Sequence, residues 1–147
     1  MASLTLKGRY IAVVYGPDGA EKQRLEGENT VCTNGKEALA RYLYSATTSG
    51  ANPFKYIGVG TGTGSESAAD TTLGTEVARH TGTVSYSSGA IYQVTATFAT
   101  NSAAGAITEY GLFTSNAVGT MFSRDVESVI NVSATDTLTV TYQLTLS

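Results

Sequence analysis

The chain contains very few of the residues on which metal sites and catalytic centres depend. Its 147 residues include one histidine, His80, one cysteine, Cys32, and no tryptophan. A zinc site takes three or four His or Cys ligands, so these two residues cannot supply one. A single cysteine cannot form a disulfide within the chain. A reactive thiol needs a basic or histidine partner, and the sequence places none near Cys32. We expect Cys32 to be a small buried strand residue.

Charge is also scarce. Charged residues make up 14% of the chain, against roughly 25% in a typical soluble domain. The nine Lys and Arg residues are scattered and the net charge is −3, whereas nucleic-acid binding needs clustered basic residues. No apolar run approaches the roughly 18 residues of a membrane span, and the first residues lack the pattern of a signal peptide. We therefore expect neither a nucleic-acid partner nor a membrane partner.

Hydroxyl residues take the place of the missing charge. The chain has 23 threonines and 14 serines. Threonine is β-branched and suits a pleated surface that is half exposed to water. A weakly charged exterior lowers the solubility of a free monomer. The composition therefore indicates a sheet-rich protein that works within an assembly, and self-association into a homo-oligomer is expected.

The first third of the chain predicts a hairpin and one helix. A strand over Leu4 to Tyr15, the turn signal Gly16-Pro17-Asp18-Gly19 and a strand over Lys22 to Thr33 form the hairpin, about residues 4–33. Asn34 followed by Glu37 has the spacing of a capping box. The apolar residues that come next recur at helical spacing: Leu39, Tyr42, Leu43 and Ala46. The spacing predicts a helix over about residues 35–46.

The remaining two thirds predict strand after strand. Short strands are expected over Phe54 to Val59, Thr83 to Tyr86, Ala90 to Phe98, Ile107 to Phe113 and Thr120 to Val126, joined by turn-rich segments. The last strand alternates most regularly, with one face expected in the core: Leu138, Val140, Tyr142, Leu144 and Leu146. Seven or eight strands and one helix predict a mainly β, antiparallel sandwich or barrel-like single domain over residues 1–147.

The segment Lys55 to Arg79 resembles a ligand loop but lacks the groups that one needs. Gly58, Gly60, Gly62 and Gly64 alternate with other residues. A dinucleotide-binding fingerprint would need a third correctly spaced glycine that opens a helix, and this glycine is absent. A phosphate-binding loop would need a terminal G-K-[ST], which is also absent. We expect a structural loop that leaves the sheet.

No other catalytic or metal constellation is complete. His80 has Glu76 and Asp70 before it in sequence, but no nucleophile elbow accompanies it. Carboxylates and carbonyls of the loop from Glu66 to Asp70 could bind calcium, although EF-hand spacing is absent. A hydrolase with paired carboxylates would leave an equally sparse trace. The sequence thus predicts no enzyme, no cofactor and no catalytic, cofactor-binding or metal residues, with the calcium loop and the paired carboxylates left open.

Nine tyrosines lie in predicted helices and strands. Most are expected in the core or on a sheet face with the hydroxyl in water. The others would suit subunit contacts or a carbohydrate-binding surface. They are Tyr10, Tyr15, Tyr42, Tyr44, Tyr56, Tyr86, Tyr92, Tyr110 and Tyr142.

The order of several segments resembles a group of small structural proteins of tailed bacteriophages. A capped helix precedes YIGVGTGTG, an acidic-Thr-x-Leu turn, AITEYGLFT and a terminal DTLTVTY strand. The match covers about Thr33 to Ser147, and the ordered set is more specific than any one motif. The resemblance implies a non-enzymatic virion protein, assigned in such groups to capsid decoration or to the tail.

We therefore expect a capsid decoration (cement) protein on the capsid exterior, with the major capsid protein as partner. A tail-fibre, collar or adaptor component is an alternative. A receptor- or glycan-binding module is a further alternative from another functional class.

Overall fold

Nine strands and one helix make up the computed structural model, which describes residues 5–45, 54–86 and 89–146, with side chains omitted for 40–45 and 86. In chain order the elements are β1 (Leu6–Tyr15), β2 (Glu21–Val31), α1 (Thr33–Ser45), β3 (Tyr56–Gly60), β4 (Glu76–Thr81), β5 (Thr83–Tyr86), β6 (Ile91–Phe98), β7 (Gly105–Phe113), β8 (Met121–Val132) and β9 (Thr137–Leu146).

The strands form one antiparallel sheet in the order β4-β3-β7-β8-β2-β1-β9-β6-β5. The two edge strands, β4 and β5, are consecutive in the chain and are separated only by Gly82. The amide of Gly82 donates to the carbonyl of Lys55. Because one residue joins the two ends of the sheet, the sheet curls into a nearly closed barrel. The prediction of a mainly β, barrel-like fold with one helix is confirmed.

The core lies inside this barrel, where the period-2 alternation of the strands places it. Leu138, Val140, Tyr142 and Leu144 of β9 are buried, and Leu146 is only partly buried. β9 pairs with β1 on one side and with β6 on the other. The predicted inner face is therefore confirmed over four of its five residues. The fifth, Leu146, is the last residue of the strand and is only partly buried.

The predicted hairpins form, but one strand was missed. β1 pairs with β2 across the Gly16 to Gly19 turn, β5 pairs with β6, and β7 pairs with β8. The count of seven or eight strands was wrong because Glu76–Thr81 forms β4 against β3. Its sequence, EVARHT, has three charged or titratable residues and no apolar alternation. Backbone pairing at the edge of the sheet, rather than side-chain pattern, makes it a strand.

The predicted start of the helix was wrong. α1 begins at Thr33, so Asn34 lies inside the first turn and Cys32 precedes the helix. The amide of Thr33, the first residue of the helix, donates to the carbonyl of Ala68 at 2.9 Å. A loop carbonyl thus satisfies one of the first-turn amides that have no partner within the helix. Of the predicted apolar face, Ala46 lies outside the described residues, as do the side chains of Tyr42 and Leu43.

Candidate functional site

The segment between β3 and β4, residues 61–75, folds back over the outer face of the sheet. The amide of Thr61 donates to the carbonyl of Thr75 at 2.9 Å, which closes the base of the loop. Leu73 is 6% exposed and packs with Cys32, Phe113 and Met121. Burial of one leucine stabilises by roughly 1.5–3 kcal/mol. This loop therefore has its own small apolar anchor.

A buried carboxylate fastens the glycine-rich start of the loop to its end. Glu109, in the middle of β7, is fully buried. Its carboxylate accepts hydrogen bonds from the amides of Gly62 at 2.8 Å, Gly74 at 2.7 Å and Thr75 at 2.7 Å. The hydroxyl of Thr108 donates to the carbonyl of Gly62 at 2.7 Å. One of the alternating glycines, Gly62, and two residues at the end of the loop thus present backbone amides to a carboxylate of the protein itself.

Arg124 of β8 completes the arrangement from the neighbouring strand. Its Nε and Nη2 both lie 3.1 Å from Oε1 of Glu109. Its Nη1 donates to Oδ2 of Asp70 at 2.9 Å, and its Nη2 donates to the carbonyl of Gly64 at 3.0 Å. We call Glu109, Arg124, Asp70 and the loop backbone they hold the loop clamp. Charge-assisted bonds of this kind are about twice as strong as neutral ones.

The electrostatics of the loop clamp keep its carboxylates ionised. Burial by itself would raise the pKa of Glu109. The amides of Thr75, Gly74 and Gly62, together with Arg124, outweigh burial and hold that pKa below its usual value. Burial likewise opposes ionisation of Asp70, but the amide of Ser67 and Arg124 lower its pKa. Both groups are thus held as charged acceptors.

The loop clamp has little left with which to act on a substrate. Its carboxylates accept hydrogen bonds from backbone amides and from Arg124, so neither is a free base, and Asp70 is committed to Arg124. A general base needs an available lone pair within reach of a substrate proton. The arrangement holds a loop in place. The prediction that the Gly/Thr segment is a structural loop agrees with this geometry.

His80 acquires a serine neighbour that the sequence did not reveal. Its Nε2 lies 2.9 Å from the hydroxyl of Ser102, and its ring packs on Phe98 with centroids 4.7 Å apart. Ser102 lies in the turn between β6 and β7, 22 residues from His80. Glu76, the carboxylate four residues before His80, pairs with Arg79. Within the described residues the dyad therefore lacks the third group that orients a catalytic histidine.

The remaining candidates are also accounted for. Cys32 is buried as expected, although just after β2 rather than within a strand, and burial raises the pKa of its thiol to about 11. Within the predicted calcium loop, Asp70 binds Arg124, and the negative charge of Glu66 acts on Asp125. No group of three or more His, Cys, Asp or Glu residues that could hold a metal is found in the described residues.

The six tyrosines whose side chains the structure describes divide between the core and its margin, and the side chains of Tyr42, Tyr44 and Tyr86 lie outside the description. Tyr10, Tyr110 and Tyr142 are fully buried. Another three are partly buried: Tyr15, Tyr56 and Tyr92. The large exposed apolar side chains of the described residues are valines. The described surface therefore presents no aromatic platform of the kind a glycan-binding site uses.

Sequence reasoning missed the two central residues of the loop clamp. Neither Glu109 nor Arg124 was singled out from the sequence as a site residue. A signal was present, because each is a charged residue in the middle of an apolar strand, in AITEYGLF and in TMFSRDV. Charged residues are almost never fully buried unless they are paired.

Comparison with known proteins adds no identification. No protein-family model, curated protein or solved structure matches this chain. Among the described residues, no helix is both long enough and apolar enough to cross a membrane.

Proposed function

We propose that this chain is a non-enzymatic structural protein of a tailed-bacteriophage virion, and specifically a capsid decoration (cement) protein bound to the outside of the shell. The observation that carries the proposal is the loop clamp. The YIGVGTGTG loop and the AITEYGLF strand, two of the segments behind the phage resemblance, meet there, and Arg124 of the neighbouring strand joins them. Because their polar groups bind one another, these motifs serve the architecture of the protein.

A second feature supports a partner that is itself a protein surface. On the outer face of β6 and β9, Thr95 pairs with Thr141 at 3.2 Å and Thr97 with Thr139 at 3.3 Å. Gln143 donates to Gln93 at 2.8 Å. We call these six residues the Thr/Gln face. Charged residues are depleted at the centre of protein interfaces, and this face carries hydrogen-bonding groups without charge.

The mechanism follows from repetition. Each copy would bridge joints between major capsid subunits, and self-association of the copies would multiply the contacts. Linked weak contacts give an avidity far above that of one contact. A protein that binds only the assembled shell stabilises that shell by mass action.

Particles prepared without this chain provide the test. They should rupture at a lower temperature or milder osmotic shock than complete particles, and addition of the purified protein should restore resistance. If the deficient particles resist rupture equally well but fail to attach to cells, the tail or receptor-binding alternative replaces the cement role. Absence of the chain from purified complete particles would contradict both virion roles.

A matched pair of variants tests the surface used. Thr139→Lys places a charge on the Thr/Gln face, whereas Ser128→Lys places one on an exposed position of β8. Thr139→Lys should fail to restore deficient particles, and Ser128→Lys should restore them. Equal restoration by both variants would show that the shell contacts another face.

A further inference from the structure

The interior of the barrel contains a carboxyl group without a hydrogen-bonding partner of ordinary geometry. Asp125 of β8 is fully buried, and among the residues that the structure describes neither of its carboxyl oxygens has such a partner. Its cross-strand neighbour on β7 is Tyr110, which is also fully buried and whose hydroxyl is also unpartnered. A buried polar group without a partner destabilises a fold, because it has given up its hydrogen bonds to water. Such a group therefore calls for a physical explanation.

A second carboxyl group converges on the same place. Gly27 of β2 has no side chain, and the space that a methyl group there would fill is taken by Glu127 and Asp125. Oε1 of Glu127 lies 2.0 Å, and Oδ2 of Asp125 lies 2.9 Å, from that position. Two carboxylates offer acceptors and no donor. One proton between them supplies the donor and removes the repulsion.

The two carboxyl groups lie between β2 and β8, the hydrogen-bonded strand pair with the fewest backbone pairings in the sheet. β2 and β8 pair through the backbone only at Thr30 with Arg124 and Val31 with Ser123. Farther along, the side chain of Gln23 takes the place of backbone pairing. It donates to the carbonyl of Asn131 at 2.8 Å and accepts a hydrogen bond from the amide of Asn131 at 3.1 Å. The carboxyl pair lies between these two fastenings.

Within residues 5–45, 54–86 and 89–146, no cation pairs with either carboxyl group. Burial and then the negative charge of Glu127 raise the pKa of Asp125 to about 8, and Glu66 of the loop adds to that effect. β7 and β1 present the neutral phenols Tyr110 and Tyr10, and β2 presents Gly27. Arg124, the adjacent residue of β8, points to the opposite face, where the loop clamp binds it.

We propose that Asp125 and Glu127 share one proton inside the barrel and that this proton holds the seam between β2 and β8 closed. The protonated carboxyl donates to the other carboxylate. Loss of the proton to solvent leaves two like charges side by side, with that of Asp125 fully buried, and their repulsion is relieved when the seam opens to water. Mildly acidic conditions thus lock the barrel, independently of any role in a virion.

The direction of the pH dependence follows from linkage. The closed seam holds its proton up to about pH 8, whereas a water-exposed aspartate releases it near about pH 4. Between these values the closed form binds more protons than the open form. Opening therefore becomes easier as pH rises, by up to about tenfold per pH unit, and levels off above the upper value.

Hydrogen exchange of the seam amides, residues 23–29 and 125–131, tests the proposal. From about pH 5 to about pH 7, after correction for intrinsic exchange, protection should fall by up to about 100-fold. Amides shared by β6 and β9 provide an internal reference and should not change. In Asp125→Asn the seam should stay protected at every pH, because the amide donates to Glu127 with no proton to lose. Glu28→Gln, an exposed change on β2, should behave as the unaltered protein does.

Three results would overturn the proposal. The first is seam protection that does not change with pH in the unaltered protein, and the second is an equal fall in Asp125→Asn. The third is recovery of protection on addition of Ca²⁺ in the unaltered protein but not in Asp125→Asn, because the pair would then hold a cation. A carboxyl carbon NMR titration of Asp125 in the unaltered protein needs no variant. A titration midpoint at about pH 8 supports the shared proton. A midpoint in the ordinary acid range, at about pH 4, contradicts it.

Discussion

At the scale of single residues, the charged groups with the largest structural role lie inside apolar strands. Glu109 holds three loop amides and one guanidinium. Removal of one partner from a buried ion pair typically costs 3–5 kcal/mol, because the other charge is left uncompensated. Exposed pairs contribute about 0–1 kcal/mol. Loss of a charged residue should therefore destabilise the fold far more when its ion pair is buried than when the pair is exposed.

Glu109→Gln should lower the free energy of unfolding by about 3–5 kcal/mol. The new amide turns hydrogens toward the backbone amides of the loop and leaves Arg124 with Asp70 as its remaining carboxylate. Glu21→Gln, which breaks the exposed pair with Arg24, should cost at most about 1 kcal/mol. Urea unfolding measures both. Similar small losses in the two variants would show that the loop clamp does not stabilise the fold.

At the scale of elements, β9 shows what the alternation of apolar and polar residues can predict. Its alternation correctly identified the buried side chains, because strands present successive residues to opposite faces. The helix was located within two residues, but its first turn was wrong because Ala68, far along the chain, accepts the hydrogen bond of Thr33. β4 was missed because its strand conformation comes from pairing with β3.

Leu144→Ala should destabilise the protein by about 2–5 kcal/mol, since it leaves a cavity in the core. Thr141→Ala lies on the opposite face of β9 from the buried residues. It should cost no more than about 1 kcal/mol, because it loses one partly buried hydrogen bond to Thr95. Thermal or urea denaturation of the pair measures the difference. Equal losses would mean that the register of β9 is wrong.

At the scale of the whole molecule, closure of the sheet depends on Gly82, the one residue between its two edge strands. A methyl group at Gly82 would lie 2.4 Å from Cγ1 of Val94, 3.1 Å from the carbonyl oxygen of Lys55 and 3.2 Å from that of Thr95. Val94 is fully buried, so the barrel must shift to make room.

Gly82→Ala should therefore destabilise by about 1–3 kcal/mol, the usual cost of overpacking. Gly64→Ala is the matched control, because nothing lies within 4 Å of a methyl group there. The urea midpoint of Gly82→Ala should fall while that of Gly64→Ala stays near the original. An unchanged midpoint for Gly82→Ala would show that the closure tolerates a side chain.

The sequence alone determined the class of the fold, the inner face of β9 and the lack of a ready-made ligand loop, because alternation and missing residue types are local properties of the chain. Only the tertiary structure decided which distant groups meet. Glu109 reaches the loop amides, Ser102 reaches His80, and Gly27 of β2 leaves room for Asp125 and Glu127 of β8. These contacts depend on strand order and register, and pairing between distant strands leaves no periodic trace in the residues that it brings together.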